Sequence, residues 1–365
     1  GARGSGTGLS GGALPVAGGL LLVLSRLDEI LEVNPRRGLA RVQPGVTNLA
    51  VSEAAAPYGM YYAPDPSSQV ACSVGGNVAE NSGGVHCLKY GLTVHNVLAV
   101  KLVTMEGELL TLGSETGETP GLNLLAAVIG SEGLLGVVVE VTVRLLPIPR
   151  RVELLLAAFD DVGRCAEAVG QVIAAGIIPA GLEMMDAPAI KAAEAFARCG
   201  YPLDAQALLL CEVDGLPADV DDELGRARTL LEAAGATSVH VARDAGERHR
   251  MWSGRKSAFP AVGRLAPDYY CMDGTIPRRH LADVLAQIAA LSTTYRLDVA
   301  NVFHAGDGNL HPLILFDAGK DGELERAERF GADILEACVA AGGTVTGEHG
   351  VGVEKLGPMC SQFGA

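Results

Sequence analysis

Over the first 148 residues the apolar positions fall in short runs separated by glycine and polar turns, and four of these, 20–24, 39–43, 97–105 and 137–145, have the Val- and Leu-rich make-up of strands. One helix is expected over 48–57. Pro147-Ile148-Pro149 interrupts the pattern and marks the expected domain boundary. Beyond it, strand-length runs alternate with helical spacing: strand 152–159, helix 162–175, strand 178–185, strand 207–213, helix 220–234 and strand 238–242. That order is a split βαββαβ unit. A similar series follows, with strand 269–276, helix 278–293, strands 298–304 and 311–316, and helix 322–341. The pattern predicts an α+β fold: a first domain over 1–148, and a second over 149–365 with an antiparallel sheet made of ferredoxin-like halves.

Composition narrows the function. With 365 residues, 48% of them hydrophobic, the chain can bury a core large enough for two domains. A formal net charge of -15 repels phosphate backbones and anionic headgroups, so nucleic acid is excluded as a partner class. The eight cysteines (72, 87, 165, 199, 211, 271, 338 and 360) form no C-x-x-C pair and no iron-sulfur spacing, and read as reduced thiols of a cytoplasmic protein. An apolar stretch over 13–24 follows Arg3 in the manner of a signal peptide, but Pro15, Gly18 and Gly19 interrupt it and no small-residue cleavage site follows. No run is long enough to cross a bilayer as a helix. The chain opens inside a glycine loop and stops at Phe363-Gly364-Ala365, so both domains are expected to be incomplete, the first at its N-terminus and the second at its C-terminus.

The opening segment Gly4-Ser5-Gly6-Thr7-Gly8-Leu9-Ser10-Gly11 contains a literal G-x-G-x-x-G. A Rossmann loop needs a helix directly after it to receive the pyrophosphate, whereas Ala13-Leu14-Pro15 and a β-like segment follow here. What survives is a nest of backbone N–H groups that can converge on a diphosphate, set against the plainer reading of a flexible loop. Further turn-forming segments rich in amides and hydroxyls support the nest: 64–68, 73–77, 81–84 and 129–136.

The segment His304-Ala305-Gly306-Asp307-Gly308-Asn309-Leu310-His311 joins two β runs through a turn, which would set both imidazoles at the same end of the sheet. Gly347-Glu348-His349-Gly350 offers a carboxylate framed by glycines. His304, His311 and Glu348 form a donor set suited to Zn, Mn or Fe with open positions. The plainer reading makes the histidines hydrogen-bonded turn residues and Glu348 a solvated acid. Asp307 reads as a turn former. His349 is assigned as general base. A third cluster, 248–256, surrounds the single tryptophan with cations, any of which could instead neutralise local acids.

Together these segments resemble the vanillyl-alcohol-oxidase-type FAD-linked oxidases, most nearly the FAD-binding subunits of glycolate oxidase and their D-lactate and D-2-hydroxyglutarate dehydrogenase relatives. The resemblance covers nearly the whole chain and implies a PCMH-type FAD-binding domain followed by a substrate and metal domain. It places Arg3, Gly4, Ser5, Gly6, Thr7 and Gly8 around the FAD pyrophosphate. Pro64, Asp65, Ser68, Gly75, Gly76, Asn77, Asn81 and Gly83 would line the flavin, with His86 and Cys87 as noncovalent neighbours. Ile129, Glu132, Gly133, Gly136 and Val138 would hold the adenosine and isoalloxazine portions by main-chain contacts.

The resemblance implies the same His304, His311 and Glu348 metal set and the same role for His349, and its Trp-x-x-Arg position makes Arg255 the anchor of the substrate carboxylate. The implied reaction is oxidation of a small 2-hydroxy acid by hydride transfer to FAD, with a divalent ion holding the substrate. Relatives that accept longer diacids carry a Lys near the position of Cys271 and a polar amide where Leu313 stands, so glycolate or D-lactate is expected rather than 2-hydroxyglutarate. Electrons would pass to a partner subunit, a quinone or a cytochrome; in the resembling glycolate oxidases the partners are a second flavin-type subunit and an iron-sulfur subunit, which implies a place in the cytoplasm or at the inner face of the membrane through those partners. The rival readings are a D-2-hydroxyglutarate dehydrogenase, a flavin-free metallohydrolase and a noncatalytic subunit that keeps the fold.

Overall fold

The computed structural model describes residues 1–118 and 121–363, so that Gly364 and Ala365, where an incomplete C-terminus is expected, lie outside the described residues. The chain divides into two compact units, Gly1–Ile148 with Glu348–Leu356, and Pro149–Gly347 with Gly357–Ala365.

The first unit is organised by a five-stranded antiparallel sheet among the described residues, in the order Ile30–Asn34, Leu39–Val42, Val137–Arg144, Val97–Val103, Leu109–Gly113. Val42, Val100, Leu102, Val141 and Val143 pack from it into one buried cluster with Val51, Val74 and Val78. Val51 lies on the helix Asn48–Ala55, where Thr47 caps the first turn by accepting from the Ala50 amide; a 3₁₀ turn at Ala56–Tyr58 continues the chain. The run expected as a strand over 20–24 is reduced to Leu22–Val23, exposed and paired in parallel with Ala2–Arg3.

A second helix, Val74–Glu80, forms where the sequence suggests only a glycine-rich turn. Two glycines lower its intrinsic propensity, yet Ser73 accepts from the Gly76 amide and Val74 and Val78 are buried, so capping and burial outweigh propensity. Gly75 is required by contact, since a Cβ there would lie 2.5 Å from that of Pro44. Asn81 ends the helix in the left-handed region at φ 54°. No helix lies between the opening glycine loop and Asn48, as its sequence context implies.

The second unit is built on a seven-stranded antiparallel sheet among the described residues. Ser238–Val241, Arg151–Phe159, Ala207–Gly215 and Gly181–Asp186 form one half, in the strand order of a split βαββαβ unit. Val299–Phe303, Pro312–Phe316 and Asp268–Cys271 form the other. The halves join where Met184 pairs with Phe303 and Met185 with Val302. The α+β class and antiparallel sheet are those the sequence implies, but this fusion is not visible in it. The strand expected over 269–276 breaks into Asp268–Cys271 and Gly274–Thr275, which belong to different sheets. Helix Ala187–Ala197, absent from the sequence reading, begins with an Asp186 cap and a proline in its first turn. No helix among the described residues is long and apolar enough to cross a membrane.

Asp186 ties the join together. Its carboxylate accepts from the Ala189 amide at 3.1 Å and from the Asn301 amide and side chain at 2.9 and 2.7 Å. Burial pushes its carboxyl up to about 6 from 3.8, against the pull of those hydrogen bonds. The folded state therefore holds this proton more tightly than the unfolded chain does, and the contribution of Asp186 to stability falls by about 3 kcal/mol as pH rises from about 4 through about 6. Urea unfolding of the protein and of Asp186→Ala at pH 4 and pH 7 should show the stability difference between them shrinking by about that amount at the higher pH. An unchanged difference would show that the site does not retain its proton.

Candidate functional site

The first unit gathers glycine loops around the start of helix Val74–Glu80. A Cβ on Gly4 would collide with the Ser73 hydroxyl that caps the helix, so the opening loop lies against the helix entrance without a side chain in between. Gly6 has φ 72° and lies under the Arg3 guanidinium, while nothing stands within 4 Å of a Cβ on Gly8. A cradle of bare backbone with an arginine at its rim suits a diphosphate.

Other residues expected at the cofactor are committed to the protein itself. Asp65 accepts from the His86 amide at 3.2 Å and lies 2.9 Å from its Nδ1. Asn48 bridges the Pro64 carbonyl and the Asn77 side chain, at 3.0 and 3.3 Å. Ser68 takes the Ala71 and Cys72 amides on its carbonyl, and the Asn81 side chain accepts from the Val94 amide. Ile129 and Val138 are buried with the core, and Gly133 and Gly136 take positive φ. These positions can serve a cofactor through backbone and shape, which is the main-chain role expected of 129–136.

Glu132, in the left-handed region at φ 54°, behaves differently. Its carboxylate accepts from the Val351 and Gly352 amides at 2.6 and 2.8 Å. Ser10 holds the same turn, donating its hydroxyl to the His349 carbonyl at 2.8 Å and accepting from the Val353 amide at 3.0 Å on its own carbonyl. The segment carrying Glu348 and His349 is thus clasped inside the first unit. A Cβ on Gly83 would meet the Glu348 carboxylate at 2.5 Å, and the Glu348 and His349 side chains lie 3.9 Å apart.

In the second unit the turn Ala305–Leu310 brings His304 and His311 together, with ring centroids 5.1 Å apart and planes nearly perpendicular. Asp307 accepts from the Asn309 amide, the turn-forming part expected of it. The His311 Nδ1 faces the Met272 carbonyl at 3.2 Å. The His304 Nδ1 faces both oxygens of Glu183, at 2.9 and 3.0 Å. Because a carbonyl and a carboxylate only accept, each Nδ1 carries a proton, and in the neutral ring that leaves the lone pair on Nε2. Histidines that ligate a metal usually lean through the other ring nitrogen on acceptors of this kind.

Arg255 lies at the end of helix Ala245–Lys256, 1% exposed, its Nη2 2.6 Å from the Glu183 carboxylate. Its Nε has no hydrogen-bond partner, so the guanidinium keeps a donor for a further carboxylate. One turn earlier, Trp252 donates to Glu212 at 2.5 Å, and Arg248 donates to the Val152 carbonyl. Cys271 and Leu313, the two positions tied to substrate length, are register partners on adjacent strands and both are buried.

Three participants escape the sequence reading. Glu183 is the lone acid in the middle of a buried strand, Gly181–Asp186, and that was its signal. Asp273 is fully buried and accepts from the Thr346 hydroxyl at 2.8 Å and the Gly347 amide at 3.1 Å, fixing the backbone just before Glu348. Ser10 has no signal beyond a small residue in a glycine loop.

Residues 2–113 match the family described as FAD binding domain, and residues 148–365 match FAD linked oxidases, C-terminal domain. The chain is 63% identical over 361 residues to glycolate oxidase subunit GlcD of Escherichia coli K12, covering 99% of this chain and 72% of that protein. It is 30% identical over 370 residues to D-lactate dehydrogenase of Anaerostipes hadrus, covering 99% of this chain and 78% of that one. Among solved structures, 4-ethylphenol oxidase from Gulosibacter chungangensis superposes with a TM-score of 0.75 at 15% identity, over 95% of this chain and 76% of that one, a likeness of fold.

The clasp on the 350–352 turn is open to direct test. Glu132→Gln keeps the shape but has one acceptor oxygen for two amides, and removing a charged acceptor from such amides costs about 1–3 kcal/mol. Thermal unfolding should shift down by several degrees, and proteolytic cleavage near 350 should speed up. A variant as protease-resistant as the parent would show that the clasp contributes nothing.

Proposed function

We propose, on the premise that this chain belongs to the FAD-linked oxidases, that it oxidises a small 2-hydroxy acid, glycolate or D-lactate, to the 2-oxo acid with FAD as electron acceptor. Residues 1–148 serve as the FAD-binding domain and 149–365 as the substrate and metal domain. The observation that carries the reading is the His304–His311 pair, with both Nδ1 atoms on acceptors and a buried arginine on the same carboxylate.

In this reading the loop Arg3 to Gly8 holds the diphosphate by its backbone, and the main chains at 64–83 and 129–138 fit around the rest of the cofactor. His304 and His311 offer Nε2, and Glu348 a carboxylate oxygen, to a divalent Zn, Mn or Fe ion; Glu348 directly follows Gly347, which Asp273 fixes within the second unit. Bound FAD would supply a hydride acceptor and the ion Lewis acidity toward the hydroxyl and carboxylate of the substrate. Arg255 anchors the substrate carboxylate and so orients the carbon that loses hydride. His349 accepts the proton from the substrate hydroxyl oxygen. Cys271 and Leu313, buried opposite one another, offer no charge to a second carboxylate, which supports a monocarboxylic substrate.

The name of the Escherichia coli relative describes a subunit. This chain correspondingly hands its electrons to partner subunits, one of flavin type and one bearing iron-sulfur clusters, in the cytoplasm or at the inner membrane face.

Anaerobic mixing with a panel of 2-hydroxy acids tests the reading. The purified protein should be yellow, and glycolate or D-lactate should bleach its flavin absorbance while D-2-hydroxyglutarate leaves it unchanged. Bleaching by the diacid alone would reverse the substrate ranking, and a colourless protein would remove the flavin reading. His349→Ala should keep its flavin and lose about 10²–10⁴-fold in the rate of bleaching, the usual contribution of a general base. Undiminished reduction would take His349 out of that role.

A further inference from the structure

The first strand half presents a carboxylate that the proposed chemistry does not use. Glu183 is 1% exposed on a strand whose six residues are all buried. A buried charge is expensive, and a hydrophobic residue or an amide would serve packing as well or better. Neutralising Arg255 would require only one of its oxygens, at 2.6 Å. Both oxygens instead also face the Nδ1 of His304, at 2.9 and 3.0 Å.

The surroundings hold this arrangement from two sides. His304 follows the strand Val299–Phe303, whose last residue pairs with Met184, the neighbour of Glu183. Arg255 and Trp252 lie one turn apart on helix Ala245–Lys256, and Trp252 is gripped by Glu212 on the adjacent strand, the register partner of Gly181. Two acids on neighbouring strands thus fix one helix face, and one of them reaches on to the histidine.

We propose that Glu183 is a positioning residue that couples the two halves of the substrate site: it holds His304 as the Nδ1–H tautomer, with Nε2 directed to a divalent ion, and it sets the guanidinium of Arg255 against the same carboxylate. This rests on the metal and substrate roles given above to His304 and Arg255. The carboxylate acts through geometry: it touches neither substrate nor ion, and its charge raises the ligand strength of the imidazole it accepts from.

Glu183→Gln tests this, with Mn²⁺ as the probe. A glutamine side chain loses the charge, and because both oxygens of Glu183 face the His304 Nδ1, its NH₂ group would stand donor against donor beside that N–H whichever oxygen it replaces. The variant should keep its flavin stoichiometry, bind Mn²⁺ 10–100-fold more weakly in equilibrium titration, the usual effect of losing such an outer carboxylate, and show both a raised KM and a lowered kcat. In metal-free protein labelled with ¹⁵N-histidine, the single Nδ1–H pattern of His304 should give way to a mixture of tautomers. Glu183→Asp keeps the charge on a shorter arm and should fold with intermediate Mn²⁺ affinity, which covers the case in which the glutamine variant does not fold. Parental Mn²⁺ affinity together with an unchanged His304 tautomer in either variant would overturn the proposal. If the parent protein takes up no Mn²⁺, the metal reading itself fails, and the tautomer comparison in metal-free protein still decides the role of Glu183.

Discussion

The pairing of Met184 with Phe303 and of Met185 with Val302 is the contact on which the second unit depends. It is only two residues long, yet it turns two separate half-sheets into one seven-stranded sheet. Through it Glu183 comes to lie beside His304, 121 positions away in the chain. Once that carboxylate is buried it needs partners, because an unpaired charge in such surroundings is strongly destabilising. His304 and Arg255 supply them. Packing, charge compensation and the orientation of a candidate metal ligand are therefore consequences of one short strand pairing.

Asp186, at the end of the same strand, reinforces the join by a different means. It caps a helix of the first half and receives both the backbone and the side chain of Asn301 from the second. Burial raises its proton affinity while three hydrogen bonds favour its ionised form. The two acids of this strand illustrate opposite uses of a buried carboxylate. Asp186 serves the backbone, and Glu183 serves side chains that carry chemistry.

The first unit solves another problem, the approach of backbone to a ligand without side chains in between. Gly4 and Gly75 are glycines because of what stands against them, the Ser73 hydroxyl in one case and Pro44 in the other. The same unit takes in Glu348–Leu356 from near the end of the chain. There Glu132 and Ser10 hold amides and a carbonyl of the turn. A residue expected at the cofactor thus has its side chain engaged in holding the segment that bears Glu348 and His349.

Much of this was legible in the linear chain. The α+β class, the antiparallel second sheet, most of its strands and helices, and the pairing of His304 with His311 across a turn all follow from periodicity and turn chemistry, which are local properties. The glycine loop could be separated from a Rossmann motif because the residues immediately after it do not form a helix. What only the tertiary structure decided is long-range: the fusion of the half-sheets, the burial of Arg255 against Glu183, the insertion of Glu348–Leu356 into the first unit, and a helix at Val74–Glu80 in spite of its glycines. Each depends on the free energy of burying particular groups against partners far away in sequence, and no pattern of neighbouring residues encodes which partner that will be.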